Sequence, residues 1–380
     1  MTNCVEQLHS ATFSSAQTRV PSLDGLRAIS AGMVVVSHLL SHSPHLAQIS
    51  GDAARRWVAG PQARMIGEMV KSLFYVGNLG VQIFFVISGF IISTLLIREK
   101  SNTGSVNLRR FYFRRFFRIF PPYYFFLLFV GAMVLLDWLP ISPLKLFASA
   151  LYLSNYIPSG EWYLGHTWSL SVEEQFYLLW PGLFVLLSLQ RLTQVASSVI
   201  LLVPLVRLAY HNFDIGSYYQ FEAIADALAF GCLLACRRDW LHTQGWYLFL
   251  MRAPVIAVLI GVLYALELLS VRPSLLPSAL YVLFGMSFKF LSIALAIDYF
   301  VSFAKGKAFA ALNAPVLVAL GQMSYTIYLW QQLFTTPYVK DEAAYWPVKI
   351  ALLLIVSWIA YRLVERPMLN WRQQLEVRFV

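Results

Sequence analysis

Apolar residues in this chain come in long, nearly unbroken runs, not in the stripes of a soluble amphipathic helix or the alternation of a half-buried strand. Each run approaches the ~20 residues that carry an α-helix across about 30 Å of hydrocarbon. Ten are predicted, at 26–41, 79–97, 122–139, 173–190, 195–209, 221–236, 253–270, 275–299, 314–334 and 347–364. The 195–209 run is short and is interrupted by Pro204. Polar breakers separate the runs: Pro44, Gly51, Gly60 and Pro61 after the first, Pro140, Pro143 and Pro158 after the third. The pattern predicts an all-α, polytopic integral membrane protein of about ten transmembrane helices. Residues 1–20 read as a flexible Ser/Thr/Gln-rich tail, 21–367 as one membrane domain and 368–380 as a short tail.

Composition agrees, since only 13% of the 380 residues are charged and 58% are hydrophobic, about half the charge of a soluble domain. No cleavable signal peptide is expected, because the first 19 residues lack an apolar core; the first span then acts as the insertion signal. The net charge of +10 says most through its placement. With both termini in the cytoplasm, most of the 29 Lys and Arg residues fall in cytoplasmic segments, as the positive-inside rule requires. The basic excess is therefore topology, and nucleic acid is not an expected partner. Three cysteines make no disulfide framework, and Cys232 and Cys236 read as small hydrophobes in an apolar helix, so no metal is expected.

Against this background the ionisable residues inside the runs stand out, since each costs on the order of 2.5–3.5 kcal/mol in hydrocarbon even on lenient scales. The first span carries Arg27 near its start and His38 near its end. Eleven positions at 3.6 per turn put them almost on one face, roughly 16.5 Å apart along the axis. Asp24 is a good N-cap type and an ion-pair partner for Arg27. His42 and His45 lie past the membrane edge and read as solvated loop residues. Ser88-Gly89 in the second span reads as a close helix-packing point. Between the second and third spans, Arg110, Arg114 and Arg118 follow at four-residue spacing with Arg115 beside them, interleaved with Phe111, Tyr112, Phe113, Phe116 and Phe117. This suggests a basic helix in the inner interface, either an anchor to lipid headgroups or a clamp for a ligand with several phosphates. Before the fourth span, Ser171 and Glu174 form a capping-box pattern that explains Glu174 structurally. Glu173 has no such explanation; at the outer mouth of a helix it is a candidate to order an acceptor hydroxyl or raise the basicity of a histidine. Glu222 and Asp226 share a face of the sixth span, with Arg207, Lys289 and Asp298 as possible ion-pair partners. Arg362 and Glu365, three apart, can form an ion pair at the end of the last span.

Six stretches in order resemble the membrane acyltransferase-3 family, polytopic enzymes that O-acylate polysaccharides, lipopolysaccharide, peptidoglycan, macrolides and related molecules. They are Leu23-Asp-Gly-Leu-Arg-Ala with its Arg-x10-His spacing, Phe84-Phe-Val-Ile-Ser-Gly-Phe90, Arg114-Arg-Phe-Phe-Arg-Ile-Phe-Pro121, Trp168-Ser-Leu-Ser-Val-Glu-Glu-Gln-Phe-Tyr177, Ser324-Tyr-Thr-Ile-Tyr-Leu-Trp330 and Tyr361-Arg-Leu-Val-Glu-Arg-Pro367. The resemblance implies transfer of an acyl group, usually acetyl from cytoplasmic acetyl-CoA, to a hydroxyl presented outside a bacterial inner membrane. It makes His38 the catalytic histidine, Arg27 its motif arginine, Arg115 and Arg118 the R-x-x-R pair and Glu173 the acidic position after Trp-Ser-Leu. Donor-binding candidates are Arg27, Arg114, Arg115 and Arg118; acceptor-binding candidates are Trp168, Glu174, Tyr177, Asp226 and Gln331. One departure is Gln331, where the family often has His. The soluble hydrolase-like domain that some members append is not expected here.

O-acylation needs a base for the hydroxyl proton, a stabiliser for the oxyanion and a seat for the donor. Histidine suits the first role because its ordinary pKa near ~6.5 lets it change charge at physiological pH. His38 is thus expected either as base or as transient acyl acceptor, with CoA phosphates on the arginines. The rival reading is a secondary transporter or exporter of an anionic metabolite, but the repeated halves of such proteins are not visible.

Overall fold

The computed structural model describes residues 20–41, 61–157, 161–213, 215, 218–270, 278–336 and 345–379. The expected tail before residue 20 and the loop histidines His42 and His45 lie outside them. Every regular element among the described residues is helical. Among the described residues six helices are long and apolar enough to cross a membrane, and the chain is a polytopic all-α membrane protein. In order, α1 spans Pro21–Ser41, α2 Pro61–Thr103, α3 Leu108–Leu135, the short α4 Pro143–Ala150, α5 Thr167–Leu186, α6 Leu189–Asn212 and α7 Phe221–Leu241. The second half holds α8 at Gly245–Leu250, α9 at Ala253–Ser270 and α10 along Ser278–Phe303. Next come α11 at Gly306–Leu312, α12 at Pro315–Gln322 and α13 at Ser324–Phe334. Finally α14, Trp346–Ala360, runs through a wide turn at Tyr361–Glu365 into α15, Arg366–Phe379.

Three elements differ from expectation. The basic stretch and the third span form one helix, α3, in spite of Pro121 and Pro122 within it; neighbouring elements in a membrane bundle satisfy the backbone groups that a proline frees. The ninth span is broken at Met323 into α12 and α13. And α5 begins at Thr167, so Ser171 lies inside it, bonded to the Thr167 carbonyl, and is no cap for Glu174. Asp24 likewise falls inside α1, where its carboxylate sits 3.6 Å from Arg27.

The bundle is held by close backbone approach and by neutralised charge. On α2, a Cβ at Gly89 would lie 2.0 Å from the Leu228 carbonyl of α7, and one at Gly231 would lie 2.1 Å from that of Val86. These helices touch through mutual glycines, as membrane helices do when packing cannot rely on water exclusion. The same device fixes α1, where a Cβ at Gly321 of α12 would meet the Asp24 carbonyl at 1.9 Å. Charges inside the bundle are paired. Arg207 forks onto Asp226 at 2.7 and 2.8 Å with both side chains fully buried, and Ser287 joins them. Lys289 meets Glu267 at 2.8 Å. Asp298 takes Arg238, His242 and Tyr247 at 2.9, 2.7 and 2.6 Å. Pairing of this kind is what intramembrane charge requires.

Candidate active site

The pitch of α1 carries the argument into three dimensions. Arg27 projects into a cavity of about 740 Å3, including its mouth, walled by α1, α2, α3, α5 and α13. Arg115 and Arg118 of α3 line the same cavity, together with Glu173, Glu174 and Tyr177 of α5 and Ser88 of α2. Three guanidinium groups line the cavity with two carboxylates, and Asp24 stands 3.6 Å behind Arg27. Arg115 is held over the Tyr177 ring, 4.6 Å from its centroid, a cation–π seat that orders the guanidinium without neutralising it. Glu173 accepts a 2.7 Å hydrogen bond from Ser88, whose hydroxyl oxygen accepts one of 3.0 Å from Tyr177. Ser88 therefore does more than pack, as its neighbour Gly89 does.

Ser169 and Tyr328, whose hydroxyls are 2.7 Å apart, also line the cavity, and the Tyr328 hydroxyl reaches the His166 carbonyl at 3.3 Å. Beyond them the chemistry changes from charged to neutral. His38 is half-buried and its Nδ1 lies 2.7 Å from Oε1 of the fully buried Gln331. An amide oxygen only accepts, so Nδ1 carries the proton and the basic lone pair is on Nε2. The Thr335 hydroxyl, which bonds the Gln331 backbone carbonyl at 3.0 Å, also lies 3.3 Å from this oxygen. The next residue repeats the arrangement: Gln332 Oε1 takes Nδ1–H of His166 at 2.6 Å and its backbone N–H at 3.2 Å. His166 is buried, and its Nε2 has no hydrogen-bond partner among the described residues. Burial pushes its pKa down to about 4, so it stays neutral at physiological pH. Trp162 ties the two units, packing edge-on against the His38 ring at 4.9 Å and donating its indole N–H to the Gln332 carbonyl at 2.8 Å.

Of the residues singled out in the sequence, Arg27, Arg115, Arg118, Glu173, Glu174 and Tyr177 converge on one cavity, and His38 and Gln331 form the neutral layer. Others are elsewhere. Arg114 turns away to Glu376 of α15. Asp226 is neutralised by Arg207. Trp168 stacks on Tyr219 at 4.3 Å and packs edge-on to Phe85. Glu173 is not at an outer mouth beside the histidine but more than a turn inside α5, among the arginines. Glu365, expected to pair with Arg362, accepts from Thr326 at 2.6 Å. Trp162, His166, Ser169, Tyr328 and Gln332 were not foreseen as site residues; His166, Ser169 and Tyr328 fall in or beside the motif stretches, whereas nothing local distinguishes Trp162.

The family model described as "Acyltransferase domain", that of the acyltransferase-3 family, matches residues 20–362. The chain belongs to the acyltransferase-3 family. It is 26% identical over 407 residues to "Putative O-acetyltransferase SACOL0978" of Staphylococcus aureus strain COL, covering 95% of this chain and 60% of that protein. It is also 26% identical over 387 residues to O-acetyltransferase OatA of Staphylococcus aureus strain NCTC 8325, covering 92% of this chain and 57% of that one. The chain thus spans somewhat under two thirds of the length of these curated relatives. No solved structure matches it. For a member of the acyltransferase-3 family the geometry gives Gln331 a definite job, since it holds the histidine of the Arg-x10-His motif in one tautomer. Among the described residues no group of His, Cys, Asp and Glu is placed to hold a metal ion.

Proposed function

We propose that this protein is a membrane O-acyltransferase of the bacterial inner membrane, with both termini cytoplasmic and about ten spans. It moves an acyl group, by preference acetyl, from cytoplasmic acyl-CoA to a hydroxyl of an extracytoplasmic glycan, lipid-linked sugar or related molecule. The observation that carries this reading is the alignment on α1. Arg27 enters an arginine-lined cavity, and His38, about three turns further along the same helix, is fixed by Gln331 with Nε2 as the basic nitrogen. Arg27, Arg115 and Arg118 hold donor phosphates, and the pantetheine arm carries the thioester past Tyr328 to the histidine. The acceptor arrives from the opposite side.

In direct transfer, His38 Nε2 takes the hydroxyl proton as the oxygen attacks the thioester carbonyl carbon. The C–S bond then breaks, the ester leaves with the acceptor, and the thiolate recovers the proton from the imidazolium. In the two-step form Nε2 itself attacks the carbonyl and the C–S bond breaks, CoA departing as thiolate from an acyl-imidazolium that keeps its Nδ1–H on Gln331; the acceptor oxygen then attacks the acyl carbon, the C–Nε2 bond breaks and the hydroxyl proton passes to the thiolate. Trapping of an acyl-protein with acceptor withheld separates these routes. Glu173, hydrogen-bonded to Ser88 and beside Arg115, orients the donor end. The family match and the repeated pairing of the remaining internal charges support this reading over a transporter.

Sidedness is the test. Inside-out membrane vesicles expose the cytoplasmic face, and labelled acetyl-CoA added to the bath is expected to form alkali-labile esters on luminal envelope glycan in a protein-dependent way. Protein-independent labelling, or labelling only when acetyl-CoA is sealed inside, would overturn the reading.

A further inference from the structure

The helix α15 begins at Arg366, beyond the residues 20–362 that the family model matches, and it lies against the arginine face of α3. Trp371 packs edge-on to Phe117 at 5.4 Å and holds it there. From α15, Glu376 accepts from Nε of both Arg110 and Arg114, each at 2.7 Å, on the same oxygen Oε1. The carboxylate is 13% exposed and the two arginine side chains 42% and 43%, and Nη2 of Arg114 also meets Glu376. One negative charge cannot satisfy two guanidinium groups, and a third stands beside them. Arg372, one turn before Glu376, is within electrostatic reach of Glu376, of Arg114 and of the cavity residue Arg118, and its Nε is buried with no hydrogen-bond partner among the described residues. Arg110, Arg114 and Arg118 follow one face of α3 at four-residue spacing, so its cationic face runs from the cavity wall to the contact with α15. Like charges crowded in this way repel, and an anion with several oxygens turns that cost into bidentate hydrogen bonds.

We infer that Arg372, with Arg110 and Arg114, forms a second phosphate seat at the mouth of the arginine cavity, and that it takes the 3′-phosphate at the nucleotide end of the acyl-CoA donor. The inference rests on the donor assignment above. Acyl-CoA carries its phosphates in two places, a diphosphate along the arm and a monophosphate on the ribose. Arg27, Arg115 and Arg118 line the cavity, and Arg372 stands on α15 and is not among the lining residues; in the inferred pose the diphosphate meets the first three, the 3′-phosphate meets Arg372 and the thioester points at His38. Glu376 holds Arg110 and Arg114 in place for the outer phosphate and is a positioning residue. Phosphate headgroups of anionic lipid offer the same chemistry, and the test separates the two sources.

Purified protein in neutral phosphatidylcholine vesicles, with and without anionic phosphatidylglycerol, is assayed with acetyl-CoA and with 3′-dephospho-acetyl-CoA. The wild type is expected to prefer acetyl-CoA by about tenfold in KM, the size of one charge-assisted contact. Arg372→Ala is expected to erase that preference in neutral vesicles, and Arg372→Lys to restore part of it. A preference unchanged in Arg372→Ala, an equal loss for both donors, or an effect confined to anionic vesicles would each overturn the inference. Binding of adenosine 3′,5′-bisphosphate, which needs no acyl transfer, reads the seat separately. It is expected to weaken about tenfold in Arg372→Ala, and equal binding by both proteins overturns the seat. Absence of CoA release by wild type from either donor would instead count against the proposed function.

Discussion

The two ends of α1 solve opposite problems. Around Arg27 the protein gathers formal charge: three guanidinium groups, two carboxylates and a tyrosine face under Arg115. At the other end, among the described residues, His38 meets the amide oxygen of Gln331 and the neighbouring His166 that of Gln332. A carboxylate beside His38 would favour the imidazolium, whereas an amide oxygen fixes the tautomer and leaves the ring able to take a proton. The first environment suits a ligand whose charge never changes, and the second a group whose charge must. Placing both on one helix makes donor binding and proton transfer separable by mutation.

That separation is open to attack at several points. The largest effect is expected from His38→Ala, a fall in turnover on the order of 10²–10⁴-fold with the KM for acyl-CoA little moved. A third charged centre, at Arg207 and Asp226, belongs to neither end. Asp226→Ala is expected to strand the fully buried Arg207 and to cost about 3–5 kcal/mol of stability, read as early thermal unfolding in detergent, while turnover per folded molecule survives. A selective loss of substrate affinity there would place Asp226 back in the site. Arg115→Ala should do the reverse of His38→Ala, raising KM for acyl-CoA roughly 10- to 100-fold through the loss of charged hydrogen bonds with less effect at saturation. Smaller again is Gln331→Leu, which removes the acceptor for Nδ1 and is expected to lower turnover about tenfold by letting the ring rotate or change tautomer. Gln331→His restores an acceptor and should lose less. If Gln331→Leu and Gln331→His behave alike, the tautomer argument is wrong.

Much of this was legible in the sequence because it is local. The eleven-residue spacing in α1, the arginines on one stretch and the acids after Trp168-Ser-Leu are each within a few turns, and helical pitch alone brings them to one side. What the sequence hid depends on partners far along the chain. Arg114 looked equivalent to Arg115 and Arg118, yet Glu376, some 260 positions away, draws it outward. Asp226 was a candidate both to line the site and to pair with Arg207, Lys289 or Asp298, and the bidentate pair with Arg207 decides between them. Glu174 looked like a cap because Ser171 stands three residues earlier, but α5 starts a turn sooner and carries Glu174 into the cavity. The basic stretch and the third span, expected as separate helices, are one, α3. Gln331 was noticed only as a departure from the family pattern; its contact with His38 spans 293 positions and could be seen only once α13 was placed beside α1.

The measurement that bears most directly on the central claim is single-turnover CoA release by His38→Ala protein in proteoliposomes, at saturating acetyl-CoA and with binding of acetyl-CoA measured on the same sample. The account predicts that binding is retained and that release falls on the order of 100-fold or more. Release at the wild-type rate would contradict it and would move the site of acyl transfer away from the first helix.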